Sequence, residues 1–220
     1  MQTTSLLKLV ALVSALALSA CGGGSASLST APAGPGPGSG STATPADLQL
    51  SVPAPTYGAT SQELRVFQAV NDFRASLHLG LWAQNASLDT SAKNHTSYSL
   101  LAGYLGHTED PAARGFTGVA PLDRDRLAGY AGSIATELGA ALVANTGVAD
   151  ADAGVALVTS LKNSVYHNAV LMDQGFREMG ASVLSDGSFI DLFIEIGFQS
   201  KPQSNASDFT LFYPLNGQTG

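Results

Sequence analysis

The sequence is poor in cysteine and in charge. A single cysteine, Cys21, stands among 220 residues, which excludes an intrachain disulfide framework and any Cys-rich zinc knuckle. Charged residues make up 12% of the chain, with 10 Lys plus Arg against 17 Asp plus Glu. A formal charge of −7 provides no basic face for a nucleic acid. No apolar run reaches the roughly 20 residues that cross a bilayer. The sequence has no Gly-x-Ser-x-Gly elbow, phosphate loop, dinucleotide fingerprint or His-Glu-x-x-His helix, so none of these common enzyme signatures applies.

What is present falls into unlike segments. Hydrophobic residues make up 45%, enough for a real core. Lys8 is the only charge before Asp47, and the apolar stretch Leu9 to Leu18 follows it. This is the pattern of a secretory signal peptide over residues 1–20. Leu18-Ser19-Ala20-Cys21 resembles a bacterial lipobox. The resemblance implies cleavage before Cys21 and acylation of its thiol and amino group. Two or three acyl chains anchor firmly where one binds only marginally. Gly22 follows the cysteine, which resembles outer-membrane sorting in a host with two membranes.

From Gly22 to Ala46, all residues but Leu28 are Gly, Pro, Ser, Thr or Ala. Such a chain cannot offset the entropy of ordering and reads as a flexible spacer with an end-to-end distance of about 27 Å. With the Pro-containing stretch after it, the expected tether covers residues 21–60.

Patterned sequence covers 61–200. Leu64, Phe67, Val70, Phe73 and Leu77 recur at three- and four-residue steps, predicting a helix over 62–78, capped by Thr60 or Ser61 and stopped by Gly80. A second helix is expected over 86–104, with Leu88, Ala92, His95, Ser99 and Ala102 inward. Asp123 is the expected cap of a short helix ending near Gly129. Asp150 or Asp152 opens another, with Val155, Val158 and Leu161 on one face, and Tyr166–Leu171 makes a last turn. Asp186-Gly187 between two apolar runs predicts a hairpin of strands 179–184 and 188–198. The second strand is apolar on both faces, which predicts cover on both sides. A further strand is expected over 134–143. Helices followed by a short antiparallel sheet give an α+β layered domain.

On the residues alone, His95 reads as a satisfied core histidine and His78 as solvent-facing. Asn71 and Arg74 tie a helix end to the next loop, and Trp82 is core. Asp191 and Glu195 read as structural acids at a strand edge. Glu109, Asp110, Asp123, Arg124, Asp125 and Arg126 read as a solvated mixed-charge face.

The order of short motifs carries more than any one of them. Asn71-x-x-Arg74, Leu81-Trp82, Ala92-Lys93-Asn94-His95, Gly106-His107-Thr108-Glu109, Asp123-Arg124, Gly129-Tyr130 and Glu137 come in turn. Asn163-Ser164-Val165-Tyr166-His167, Leu171-Met172-Asp173 and Glu178 to Val183 complete the series. Over about residues 62–198 this resembles the CAP superfamily of cysteine-rich secretory, antigen 5 and pathogenesis-related 1 proteins, in its cysteine-poor bacterial branch. The resemblance implies an α-β-α sandwich with a central antiparallel sheet flanked by helices. It also implies a cleft lined by two histidines and acids, which in some members binds a divalent metal such as zinc. His107 matches the first cleft histidine, Glu137 the acid and candidate catalytic group, and His167 the second histidine. His107 and His167 are the candidate metal ligands. Leu138 replaces the Asn expected after the glutamate, and Asn168 stands where many bacterial members carry Arg. Glu109 is the candidate for a second cleft acid.

The functional expectation is a membrane-tethered envelope lipoprotein. It would be a monomer binding a lipid, glycan, peptide or divalent metal in the His/Glu cleft, with no nucleic-acid partner. One alternative is a metal-dependent hydrolase using His107, His167 and Glu137; another is a structural protein with a vestigial cleft. Residues 201–220 read as a tail whose Phe209 to Pro214 run docks in part on the domain.

Overall fold

The structure is a computed structural model that describes residues 48–144, 152–198 and 203. Cys21, most of the expected tether, Asp150 and the Phe209–Pro214 run lie outside the described residues. No helix among the described residues is long and apolar enough to cross a membrane.

Helix α1 (Gln62–Ser76) starts where Ser61 accepts a hydrogen bond from the Leu64 amide. Its end differs from expectation. The chain turns at His78, which takes a left-handed φ of 58°, two residues before Gly80. Gly80 serves another purpose, since a Cβ there would run into the side chain of Gln203. The short strand β1 (Ala83–Gln84) leads to α2 (Ala86–Ala102), capped by Asn85 and closed by the left-handed Gly103. Helix α3 (Pro121–Leu127) has Pro at its start, where the missing N–H costs nothing. Asp123 lies inside this helix and turns its carboxylate back to the Ala120 amide, rather than standing ahead of it. Strand β2 (Ile134–Val143), α4 (Ala153–Lys162), α5 (Val165–Leu171), β3 (Glu178–Ser185) and β4 (Phe189–Phe198) follow.

The strands form one sheet in the order β1-β3-β4-β2. It is mixed rather than purely antiparallel, because β1 pairs parallel with β3 while β2 and β3 flank β4 antiparallel. Helices α1 and α4 cover one face and α2 and α3 the other. Because successive strand residues point to opposite faces, β4 supplies Ile190, Leu192, Ile194 and Ile196 to the first face. There they join Val66, Phe67, Val70, Leu157 and Leu161 in the main core. Val155, expected inward, is exposed, and Leu157 takes its place. Asp191, Phe193 and Glu195 point the other way.

Trp82 is fully buried and its backbone is held at both ends by the Asn71 side chain (2.8 and 3.0 Å). Arg74 donates to the carbonyls of Gly80, Leu171 and Asp173, so this pair ties the end of α1 to the following loop as expected, and Arg74 also holds the loop after α5. Residues 48–60, read as the end of the tether, lie against the domain. Tyr57 packs on Phe67 (ring centroids 6.1 Å) and donates to Asp89. Gln49 and Gln203 bind each other and share the Leu81 carbonyl.

Candidate functional site

Helix α2 builds the floor of the site. Ser91, His95 and Ser99, one turn apart, face β4 in reverse order. Ser91 Oγ approaches Glu195 Oε1 at 3.5 Å, the His95 ring stands edge-on to Phe193 at 4.3 Å, and Ser99 Oγ donates to Asp191 at 2.7 Å. The match is geometric: one helical step of four residues rises about 6 Å and two strand residues about 6.6 Å.

The remaining parts arrive from three directions. Strand β2 places Glu137 directly opposite Glu195. Helix α3 supplies Arg124. The loop after α2 brings His107 and Glu109. Glu137 Oε1 accepts from His107 Nδ1 at 2.7 Å, and Oε2 accepts from the Arg124 guanidinium. His95 Nε2 lies 3.6 Å from Glu137 and 2.8 Å from the Gly106 carbonyl, while His95 Nδ1 lies 2.7 Å from Glu109. Glu109 also accepts from the Thr117 amide and hydroxyl. Arg124 Nε stands 3.7 Å from Glu195 and 3.9 Å from Glu109.

Protonation follows from this packing. Burial alone would raise Glu137, but its hydrogen bonds with His107 and Glu195 and the charges of His95 and Arg124 outweigh that and hold its pKa below the usual value. Its neighbour Glu195 goes the other way: full burial, then the charges of Glu137 and Asp125, push it well up. The two facing acids thus divide into one carboxylate and one neutral acid. Burial also pushes Asp125 up to about 6. The hydrogen bond to Glu137 raises His107. His167, half-buried in the first turn of α5, is lowered by burial and by nearby His107.

The site therefore joins His107 to Glu137 directly and brings His167 within the electrostatic reach of His107. Glu109 lies beneath, held by His95 and Thr117, rather than lining the opening. Five residues of the site were read otherwise from the sequence. Glu109, Arg124 and Asp125 are buried, not part of a solvated face. Glu195 is on an interior strand, not at an edge, as is Asp191. His95 is satisfied as expected, yet it belongs to the site's floor. The available signal was the pair of acids interrupting an apolar strand, aligned with polar residues at four-residue steps on α2.

The donor set does not suit a resident zinc. Glu137 is engaged on both oxygens, one by an imidazole and the other by a guanidinium that already neutralises it. Among the described residues no three His, Cys, Asp or Glu side chains converge to hold a metal. His107 and His167 alone fall short of the three protein ligands of an open zinc centre. Chemically the arrangement holds one exposed imidazole in a fixed direction, its Nδ1 tied to a buried carboxylate.

The layered helix–sheet–helix fold has a counterpart among known families. The model of the cysteine-rich secretory protein family, CAP, matches residues 67–194, and the chain belongs to this family. A search of the curated proteins found no significant match. Among solved structures, an outer surface protein of Borrelia burgdorferi is 16% identical with a TM-score of 0.50, covering 64% of this chain and 95% of that one. An extracellular SCP-domain protein of Bacillus anthracis is 20% identical with a TM-score of 0.48, over 60% of this chain. This chain spans only 39% of that protein's length. A cysteine-rich secretory protein of Staphylococcus aureus is 20% identical with a TM-score of 0.40, over 64% of this chain and 40% of that one.

Proposed function

We propose that this chain is an exported envelope lipoprotein, anchored through an acylated Cys21, that binds a ligand in the cleft above His107, Glu137 and His167. The observation that supports this reading is the buried polar network beneath one exposed imidazole. Arg124 and Glu137 are almost wholly buried, and taking charges out of water costs several kcal/mol per ion. A core of apolar residues would fill the same space without that cost. Here the buried groups hold His107 at a fixed angle to solvent.

The test is identification of what the full chain carries. Protein isolated from its native envelope is analysed by mass spectrometry beside His107→Ala. A small molecule or glycan retained by the wild type and lost from the variant supports the reading; identical content in both sinks it. The anchor has a separate readout. Cys21→Ser moves the protein from the membrane to the soluble fraction, and unchanged fractionation contradicts lipidation.

A further inference from the structure

We infer that Tyr104–His107 form a rigid recognition ridge on this cleft, and that the ligand it reads is a neutral oligosaccharide stacked on the Tyr104 ring beside His107. The inference rests on the cleft being a binding site and names its ligand class.

The ridge is held from below by its carbonyls. Tyr104 O accepts from Ser99 Oγ at 3.1 Å, Gly106 O meets His95 Nε2 at 2.8 Å, and His107 O accepts from Arg124 Nη1 at 3.2 Å. All three partners are buried side chains of α2 or α3. The side chains turn outward: Tyr104 is 58% exposed, Leu105 42%, and the His107 side chain 55%. Apolar groups displayed on a loop usually cost ordering entropy when they bind. Here the backbone part of that ordering is already done. The Tyr104 ring lies over Gly106, where an added Cβ would strike it.

Two features choose among ligands. The carbonyls of Tyr104, Gly106 and His107 already have partners, so an extended peptide cannot add to this segment as a strand, a mode that relies on main-chain bonds. Recognition falls to the side chains, a flat amphipathic ring and an imidazole. The acids of the site are matched internally, Glu137 by His107 and Arg124, and Glu109 by His95 and Thr117. With a net charge of −7 overall, nothing here attracts a polyanion. A sugar has a flat apolar face for the ring and neutral hydroxyls for the imidazole. Tyr166, next to His167 and 86% exposed, is a second ring on the other histidine's helix.

The full chain is titrated by calorimetry with tetra-N-acetylchitotetraose and maltotetraose as neutral probes and heparin as the anionic one. A neutral probe binds. Tyr104→Ala weakens it about tenfold with an unchanged melting temperature, and Tyr104→Phe stays near wild type. Gly106→Ala keeps every ridge side chain but displaces the ring, and weakens binding like Tyr104→Ala. Binding of heparin alone, of no probe, or equal binding by Tyr104→Ala overturns the inference. If no neutral probe binds but a native ligand still depends on His107, the ligand class fails while the cleft reading stands. If Tyr104→Ala loses the probe and His107→Ala does not, the ridge stands and the cleft reading fails.

Discussion

The two faces of the sheet are built on opposite principles. Toward α1 and α4, β4 presents four aliphatic residues that pack into a continuous core. Toward α2 and α3, the same strand presents Asp191, Phe193 and Glu195. The first face gains stability from area removed from water, at about 25 cal/mol per Å², and many side chains of similar size could serve there. The second face holds buried ionisable groups, each useful only if its partner is in place. One face carries the fold, and the other gives up part of that stability to orient the loop that bears His107.

The contrast breaks most severely at Arg124. Arg124→Met leaves Glu137 buried without its cation, and loss of one member of a buried pair costs about 3–5 kcal/mol. Urea unfolding measures this. In the protein that remains folded, the His107 titration followed by NMR moves up, because the Arg124 charge opposes protonation of His107. The matching change on the apolar face is Leu157→Ala, at about 2–5 kcal/mol for a fully buried leucine. It leaves the His107 titration in place. Equal shifts in both variants would mean that the faces are not separable.

Asp125 gives a smaller effect of opposite sign. Its native pKa, raised to about 6, lies above an unfolded value of about 3.9. The native state therefore binds the proton more tightly. Its contribution to stability is fully present below about pH 4 and is lost as the pH rises to about 6. Asp125→Asn removes that slope and stabilises the protein at pH 8 by on the order of 1–3 kcal/mol. Denaturation midpoints from pH 3 to 8 check this, and an unaltered profile in the variant excludes Asp125 as its source.

How much was legible in the sequence follows the same division. The apolar face announces itself by period: Phe67, Val70 and Phe73 for α1, and alternate aliphatics around Asp186-Gly187 for the hairpin. Burial of apolar groups depends on spacing along the chain, which a sequence displays. The polar face depends on partners far apart, such as Glu137 with Arg124 and His95 with Glu109. A charged residue looks the same in a solvated loop and in a buried network, so Arg124 and Asp125 read as surface. His107 and Glu137 were legible only through family resemblance, and the direction of Glu109 not at all.

The smallest stability effect belongs to His107, the residue on which the proposed binding rests. His107 is half in solvent and its native pKa is raised by Glu137. Its contribution is present below an unfolded pKa of about 6.5 and lost as the pH rises through the higher native value. Glu137, held low, works in reverse: its contribution is present above the ordinary glutamate range and lost on acidification. Solvent screens the exposed imidazole, so the charge-dependent part of the loss in His107→Ala is less than about 0.5 kcal/mol at pH 5 and absent at pH 9. Ligand retention is nevertheless lost at both. Such a split identifies His107 as a group that the fold supports without depending on it. A large loss of stability in His107→Ala would instead make the imidazole a part of the packing and return the cleft to the structural reading.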